Sequence, residues 1–474
     1  MFDGGEFLWY AEKKEGRSMD IQALVTAQRA YFKTGATLPL SARRGALQRL
    51  RAAMKAHETD ITAALKADLN KSPAESYMCE VGLTLSELTF VERRLARWMR
   101  DRPHLTPLAQ FPARSFTVSE PYGVVLIMSP WNYPFLLTME PLIGAVAAGN
   151  CCVVKPSADS PAVSAVIRTI LAECFPPELV AVVEGGRAEN QALLDQRFDY
   201  IFFTGGAAVG REVMAKAAVH LTPVTLELGG KSPCIVDKTA RLELAAKRLV
   251  FGKLLNCGQT CVAPDYLLID RRVKDRFLAY VKRWITVLYG SDPLDNKGYV
   301  RMVNRKHFDR VMGLINPAQV VFGGQGDPAA LAIQPTILDP VSPEDAVMQE
   351  EIFGPVLPVL TFDAVQEALD FVNARPRPLA LYLFSQDREV QEQFLRRASS
   401  GGGCINDTII HLATSRMGFG GVGDSGMGSY HGKASFDAFS HRKSIVKKST
   451  LVDLPVRYPP YTRTKARLLR LFLR

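Results

Sequence analysis

Two cysteines lie four residues apart in the polar, glycine-containing segment Asn256-Cys-Gly-Gln-Thr-Cys261. A free cysteine is usually a small buried apolar side chain, whereas a nucleophilic cysteine needs a thiolate and access to its substrate. Cys151 and Cys152, inside an apolar run, fit the buried role. Cys261 fits it poorly, so it is the candidate nucleophile. A disulfide or metal pair between Cys257 and Cys261 is the less favoured alternative.

Two further polar side chains stand where apolar runs end. Glu227 follows Pro223–Leu226 and precedes two glycines, which places it in a cleft. A carboxylate there acts as a general base if burial raises its pKa, and the alternative is an acid that caps a turn. Asn132 follows the apolar run Val124–Met128. Its amide could donate a hydrogen bond to a developing oxyanion, or it could be an ordinary turn residue.

A glycine-rich turn and a lysine could contact a phosphate-bearing ligand. In Ile201–Gly210 an apolar strand runs into a helix through Gly205 and Gly206, and such a helix start presents free N–H groups. The spacing is not the GxGxxG of the common dinucleotide fingerprint, so a simple turn is the alternative. Lys155 ends another predicted strand, where ligands often bind parallel sheets. Taken alone, its position favours a solvated lysine.

Short apolar runs alternate with helical patterns along most of the chain, which favours βαβ units and parallel sheets. From Met19 to about Arg102 the pattern is helical, and a proline-rich loop is predicted at Pro103–Arg114. Beyond it we predict strands and helices in two α/β lobes that meet near Glu227–Gly230. The first helix of the first lobe is predicted at Pro141–Gly149.

Composition excludes several classes of protein. The 474 residues are 47% apolar and 22% charged, unlike a disordered chain, a collagen or a coiled coil. Eight cysteines without a CxxC pair argue against a disulfide scaffold or a structural zinc site and favour a reducing cytosol. We therefore predict no bound metal and a cytoplasmic location.

The distribution of charge argues against nucleic-acid binding. Residues 441–474 contain ten Lys or Arg and one acid, so they carry +9 of the net charge of +10. A nearly neutral body does not form a basic groove. We find no secretory signal and no run of 18 apolar residues, and we predict that residues 1–18 are an extension or a misassigned start.

Taken in order, the motifs PWNYPF, KPS, FFTGG, ELGGKSP, GQTC and EEIFGPV resemble the signature set of the aldehyde dehydrogenase superfamily. The resemblance runs from about Met19 to Lys448. The stretches 220–234 and 426–437 are similar to the class 3 branch, which includes fatty and aromatic aldehyde dehydrogenases.

The resemblance implies an α/β fold with a Rossmann-like cofactor domain, a catalytic α/β domain and a small β extension used in oligomerisation. The corresponding ranges are a cofactor-binding region at 19–228, a catalytic domain at 229–428 and an oligomerisation segment with a basic tail at 429–474. It also implies a homodimer.

For the chemistry, the resemblance implies NAD(P)-dependent oxidation of medium- or long-chain aliphatic or aromatic aldehydes to carboxylic acids. Cys261 would attack the aldehyde carbon, and the Asn132 amide with the Cys261 backbone N–H would hold the oxyanion. After hydride transfer, Glu227 would activate water to hydrolyse the thioester. A coenzyme A-acylating dehydrogenase is the enzymatic alternative, and a catalytically silent membrane-docking scaffold is the non-enzymatic one.

The resemblance also assigns residues to NAD or NADP. Lys155 would hold the adenosine ribose, Gly205, Gly206 and Gly210 the pyrophosphate, and Glu351 the nicotinamide ribose. Phe353 would pack near the nicotinamide.

Two positions depart from the family pattern. Ala158 stands where a glutamate commonly contacts the ribose hydroxyls, which puts strict NAD specificity in doubt. Gly206 replaces a common serine, so one hydroxyl contact to phosphate is lost.

The C-terminal stretch 457–474 has six basic residues, no acid and several leucines. Such a segment could form a short interfacial helix on anionic lipid. Packing against a partner subunit, or fraying, is the alternative.

Overall fold

The computed structural model describes residues 20–473, so the extension predicted at residues 1–18 lies outside the described residues. The described chain opens with helices, as predicted. They are α1 (Ile21–Lys33), α2 (Leu40–Ala56), α3 (Glu58–Leu69), α4 (Pro73–Ser76), a π-helical turn (Tyr77–Val81) and α5 (Gly82–Trp98).

Two strands then occupy the ends of the stretch predicted as a proline-rich loop, namely β1 (Arg102–His104) and β2 (Ala113–Pro121). The loop prediction at Pro103–Arg114 is therefore wrong at both ends. β2 pairs with the nearby β1, but its longer pairing is with a strand more than 300 residues further along the chain, and local residue patterns do not indicate that pairing.

The next elements alternate between strand and helix. They are β3 (Val124–Met128), α6 (Leu136–Ala148), β4 (Cys151–Lys155), α7 (Pro161–Cys174), β5 (Val180–Val182), α8 (Arg187–Leu194), β6 (Tyr200–Thr204), α9 (Ala207–Ala218) and β7 (Val224–Glu227). The helix predicted at Pro141–Gly149 begins five residues earlier, and Pro141 lies inside it.

A second series follows. It comprises β8 (Pro233–Val236), α10 (Leu242–Leu254), β9 (Tyr266–Asp270), α11 (Lys274–Tyr289), α12 (Arg305–Gly313), β10 (Val320–Phe322), β11 (Gly326–Asp327), β12 (Ala332–Ile333), β13 (Thr336–Leu338), α13 (Ala346–Gln349), β14 (Val356–Phe362), α14 (Val365–Asn373), β15 (Ala380–Phe384), α15 (Arg388–Arg397) and β16 (Gly402–Ile405). The last described elements are β17 (Gly426–Met427), α16 (Gly432–Ala438), β18 (Ser440–Lys448) and α17 (Arg463–Phe472).

The described strands form two large sheets, one three-stranded sheet and the antiparallel two-stranded pair β11-β12. The first has the order β17-β7-β6-β3-β4-β5 and is parallel except at β17. The second has the order β10-β13-β14-β9-β8-β15-β16 and is parallel except at β10. β1, β2 and β18 form a separate antiparallel sheet. The predicted α/β class with two parallel-sheet lobes is confirmed.

Asn150 joins three elements at the base of the first sheet. Its side-chain oxygen accepts the N–H of Gly123 at 3.0 Å, and its amide nitrogen donates to the carbonyls of Ala145 and Phe439 at 3.1 and 2.9 Å. Asn150 is fully buried, so it satisfies polar backbone groups that water does not reach. This side chain thereby ties the end of α6 to the starts of β3 and β18.

We expect Asn150→Ala to lower the free energy of unfolding by about 2–4 kcal/mol, because it leaves buried backbone groups without partners. Urea unfolding measures the loss. The exposed Gln366 on α14 provides the control, since Gln366→Ala should change stability by less than about 0.5 kcal/mol. Equal losses in the two variants would contradict the role given to Asn150.

Candidate active site

Cys261 lies on the loop between α10 and β9, directly after a run of unusual backbone. Asn256, Cys257 and Gly258 have φ angles of 54°, 56° and 73°, in the left-handed region. Glycine adopts this region freely and asparagine tolerates it, but cysteine does so at a cost, so surrounding contacts must hold the loop.

Hydrogen bonds from three directions supply those contacts. The Asn256 N–H donates to the Glu75 carboxylate at 2.9 Å, and the Asn256 side chain donates to the carbonyls of Asn132 and Gln259 at 2.8 and 3.0 Å. The Gln259 amide donates to the Arg301 carbonyl at 2.9 Å. The loop before the candidate nucleophile is therefore fixed against both the first helices and the Asn132 segment.

The Cys261 side chain is partly accessible, and it lines two cavities. Burial of the thiol, together with the nearby carboxylates of Glu351 and Glu227, raises its pKa to about 12. The backbone N–H groups of Cys261 and Val262 oppose this by hydrogen bonding to the sulfur. The sulfur is thus reachable but protonated at neutral pH in this state.

Glu227 ends β7, opposite Thr204 on β6 and Gly426 on β17. Its side chain is buried, and neither carboxylate oxygen has a hydrogen-bond partner within residues 20–473. Burial alone raises its pKa well above the ordinary value. A buried carboxyl without a structural partner is suited to exchanging a proton with a bound molecule.

Asn132 reaches the Cys261 loop directly. Its side-chain nitrogen donates to the Gln259 carbonyl at 3.0 Å, two residues before the nucleophile. An amide nitrogen carries two N–H groups, so this bond leaves the second to donate towards the cleft. Beside it, the Tyr133 hydroxyl pairs with the Thr260 hydroxyl at 2.7 Å.

A polar cleft of about 320 Å³ brings most of the predicted site together. Its lining residues are Pro130, Trp131, Asn132, Leu137, Thr204, Gly205, Gly206, Glu227, Leu228, Gly229, Cys261, His307, Arg310, Glu350, Glu351 and Phe353. Seven residues singled out from the sequence are among them.

The other two lie elsewhere. Gly210 is buried within α9, where an added Cβ would lie 2.7 Å from the Leu228 side chain, so its surroundings indicate close packing rather than contact with the cleft. Lys155 is buried, and its ammonium donates to the carbonyls of Pro156 and Gly185, both at 2.8 Å. Burial lowers the pKa of Lys155, while the carboxylates of Glu189 and Glu184 act in the opposite direction.

Glu351 and Phe353 lie on the turn between α13 and β14. The Glu351 carboxylate accepts the N–H of Gly230, and its oxygen lies about 2.0 Å from where a Cβ on Gly229 would be, so only glycine fits there. Burial raises the pKa of Glu351 to about 8. Phe353 packs edge-on to Trp131 with ring centroids 5.4 Å apart.

Three residues that hold this turn were not identified from the sequence. Arg310 donates to the carbonyls of Glu351 and Ile352, Lys231 bonds Asp265 and the Glu350 carbonyl, and Asp265 accepts the Ile352 N–H. Lys231 belongs to the ELGGKSP motif, which was a signal for it. Arg310 and Asp265 lie outside any motif.

The polar cleft includes the start of α9, where a phosphate group could bind. Gly206 precedes α9 without a side-chain hydrogen bond to the helix start, and the space beside its α-carbon is open. The first N–H groups of this 12-residue helix therefore remain available for a phosphate.

A second, apolar cavity of about 80 Å³ meets the cleft at Cys261 and Glu227. Its other lining residues are Cys79, Leu83, Tyr133, Leu136, Leu137, Glu140, Thr204, Leu228, Leu255, Thr260, Ile409, Leu412, Phe419, Tyr430 and His431. Such a lining suits the hydrocarbon part of a substrate.

The eight cysteines all lie within the described residues and are free thiols. Residues 20–473 contain no group of three or more His, Cys, Asp or Glu side chains arranged to hold a metal. In the same part of the chain, no helix combines the length and apolar character needed to cross a membrane.

Residues 9–445 match the aldehyde dehydrogenase family model. The chain is 47% identical over 435 residues to 4,4'-diaponeurosporen-aldehyde dehydrogenase of Staphylococcus aureus, covering 91% of this chain and 95% of the relative. It is 45% identical over 443 residues to the dimeric NADP-preferring aldehyde dehydrogenase of Canis lupus familiaris, covering 93% and 98%.

Solved structures of aldehyde dehydrogenases support the same family assignment. The substrate-bound state of Staphylococcus aureus AldH superposes with a TM-score of 0.94 at 45% identity, covering 96% of this chain and 99% of that one. A Pseudomonas syringae indole-3-acetaldehyde dehydrogenase in complex with NAD⁺ gives a TM-score of 0.83 at 27% identity, covering 91% and 89%. The chain therefore belongs to the aldehyde dehydrogenase family, as an NAD(P)-dependent oxidoreductase acting on aldehydes.

Proposed function

We propose that this enzyme oxidises medium- or long-chain aliphatic, or aromatic, aldehydes to carboxylic acids and releases them by hydrolysis. The observation that carries the proposal is the position of Cys261 and Glu227 on the boundary between a polar cleft and an apolar cavity. The cleft takes NAD or NADP and the cavity takes the hydrocarbon part of the aldehyde.

In the first half-reaction the Cys261 sulfur attacks the aldehyde carbon. Its proton leaves to solvent, and a thiohemiacetal oxyanion forms. The second N–H of the Asn132 amide and the Cys261 backbone N–H donate to that oxyanion, a contribution worth roughly 10²–10³ in rate per donor in other enzymes. NAD(P), when bound in the cleft, would supply the hydride acceptor, and loss of hydride from the carbon would leave a thioester on Cys261.

In the second half-reaction Glu227 takes a proton from water, and the resulting hydroxide attacks the thioester carbon. The C–S bond breaks, the acid leaves and the thiol is restored. General-base assistance of this kind contributes roughly 10²–10⁴-fold. The presence of Glu227 beside the sulfur favours water over coenzyme A as the acceptor, and it also argues against a silent scaffold.

For the cofactor, we propose that Lys155 contacts the adenosine ribose, that Gly205, Gly206 and Gly210 form the turn at the pyrophosphate, and that Glu351 binds the nicotinamide ribose. Phe353 packs beside the nicotinamide. For Gly210 the support is indirect, because its packing on Leu228 lets α9 approach β7 and so sets the direction of the helix start.

We further propose a homodimer, a cytoplasmic location and domains at 19–228, 229–428 and 429–474. The dimer is supported by the relative named as dimeric, and the domain division by the two sheets, which draw their strands mainly from 124–227 and 233–405.

Substituting Cys261→Ser should reduce aldehyde oxidation to near background. Glu227→Gln should retain a burst of reduced cofactor, because hydride transfer precedes hydrolysis, and should then lower the steady rate by about 10²–10⁴-fold. Stopped-flow absorbance of NAD(P)H measures both phases. Coenzyme A should change neither the rate nor the acid product. A normal steady rate in Glu227→Gln would remove this residue from the mechanism.

The hydrolysis step should also accelerate with rising pH. The raised pKa of Glu227 means that its carboxyl is protonated, and inactive as a base, until the pH exceeds that pKa. The steady rate of the native enzyme should therefore increase from neutral to alkaline pH. The same profile for Glu227→Gln should lack this rise, and an identical rise in both proteins would assign it to another group.

Ala158 should determine tolerance of the NADP 2′-phosphate. It is exposed on the turn after β4, three residues from Lys155. Ala158→Glu should raise the ratio of KM for NADP to KM for NAD about tenfold, because a carboxylate binds the ribose hydroxyls and repels the phosphate. Ala158→Gln, equal in size but neutral, should shift the ratio less. Equal effects of the two substitutions would exclude charge as the cause.

The C-terminal helix α17 is a candidate for contact with an anionic membrane surface, and packing on a partner subunit is its alternative. Leu468 and Leu471 are exposed, and the helix carries four basic residues, Arg463, Lys465, Arg467 and Arg470. Each basic residue near anionic lipid contributes about 1 kcal/mol. Deleting 457–474 should abolish cosedimentation with phosphatidylserine vesicles, with neutral vesicles as the control. Unchanged cosedimentation would exclude the lipid contact.

A further inference from the structure

A buried ion pair outside the sequence-predicted site connects the first helices to the Asn132 loop. Lys71, between α3 and α4, pairs with Glu80, in the π-helical turn, and both side chains are fully excluded from solvent. Burying two charges is costly unless each is satisfied by further polar contacts. The remaining contacts of the pair therefore indicate what it holds in place.

Lys71 makes its second contact with the backbone of Asn132. Its ammonium donates to the Asn132 carbonyl at 3.0 Å and lies 4.1 Å from the centre of the Tyr133 ring. The same carbonyl accepts the Asn256 amide at 2.8 Å. Two donors converging on one carbonyl fix the peptide plane after Asn132, and hence the direction in which its side chain leaves the backbone.

Glu80 holds the other end of the same loop. One carboxylate oxygen accepts the N–H groups of Phe135 and Leu136 at 2.9 and 3.1 Å. These residues open α6, where Phe135 provides no side-chain cap, so Glu80 places a negative charge at the positive end of that helix. Residues 132 and 136 are thereby tied to one ion pair.

The side chain of Asn132 is anchored separately by its bond to the Gln259 carbonyl. With the backbone held by Lys71 and one amide N–H held by Gln259, the orientation of the second N–H is determined. Glu75, in α4, accepts the Asn256 N–H, so the same helical segment also supports the opposite loop.

We propose that Lys71 and Glu80 are positioning residues that aim the Asn132 amide at the oxyanion formed on Cys261. The inference rests on the proposed role of Asn132. It explains why two charged side chains are buried beside the Asn132 loop, because a small misplacement of an oxyanion donor lowers the reaction rate. A displacement of about 1 Å costs roughly 10²-fold in rate.

The test is a double-mutant cycle. Lys71→Met with Glu80→Gln removes both charges together, so neither is left unpaired, and the glutamine can still accept from α6. This pair of substitutions is made in the native protein and in Asn132→Ala. The measurements are kcat and KM for aldehyde oxidation, together with NADP affinity by fluorescence titration.

If the ion pair acts through Asn132, replacing both of its residues should lower kcat roughly 10- to 100-fold in the native background. In Asn132→Ala the same replacement should lower kcat less than about twofold, because that variant has no amide donor for the pair to position. NADP affinity should stay unchanged in both. Equal losses in the two backgrounds, or no loss in the native background, would overturn the inference while leaving the role of Asn132 intact.

The arms of the cycle separate this inference from the proposed function. An undiminished rate in Asn132→Ala alone would overturn the oxyanion role and the inference with it. If Lys71→Met with Glu80→Gln does not give protein that binds NADP, Lys71→Gln with Glu80→Gln keeps a neutral donor at position 71 and a neutral acceptor at position 80, and this pair enters the same cycle. The same equal loss in both backgrounds would again overturn the inference.

Discussion

Partial burial of one sulfur atom and full burial of one carboxyl group are the constraint on which the site depends. The Cys261 thiol and the Glu227 carboxyl both have raised pKa values because they are buried, and the carboxyl has no structural partner within the described residues. Burying a polar group without a hydrogen-bond partner costs free energy, so the surrounding structure must be rigid enough to hold these two groups in place. The two sheets, the crossing loops and the first helices together supply that rigidity.

The two lobes divide the chemistry between them. Strand β7 of the first sheet ends in Glu227, and the loop before β9 of the second sheet presents Cys261. The turn at Glu351 comes from the second lobe as well, and Lys231, Asp265 and Arg310 secure it. Since neither sheet carries the whole site, the relative placement of the sheets is itself a determinant of activity.

The sequence was informative where a short motif coincided with a strand end. Glu227 and Asn132 were singled out because each follows an apolar run, and Cys261 because its segment is polar and contains glycine. All three line one cleft. Lys71 and Glu80 gave no such signal, because the backbone groups that they hold lie more than 50 residues away in sequence. The early start of α6 was missed for the same reason: Glu80 satisfies its first N–H groups, and Pro141 suggested a later start. The pairing of β2 with β18 likewise depends on distant residues.

The burial of Lys71 and Glu80 bears on how the enzyme responds to dissolved ions. Mobile ions weaken interactions between charges that face water, over a Debye length of about 8 Å at physiological ionic strength, but they hardly reach charges sealed inside protein. The geometry around Asn132 is therefore insulated from the ionic composition of the medium. The exposed basic face of α17 has no such protection, so one chain combines an ion-insensitive reaction centre with an ion-sensitive surface.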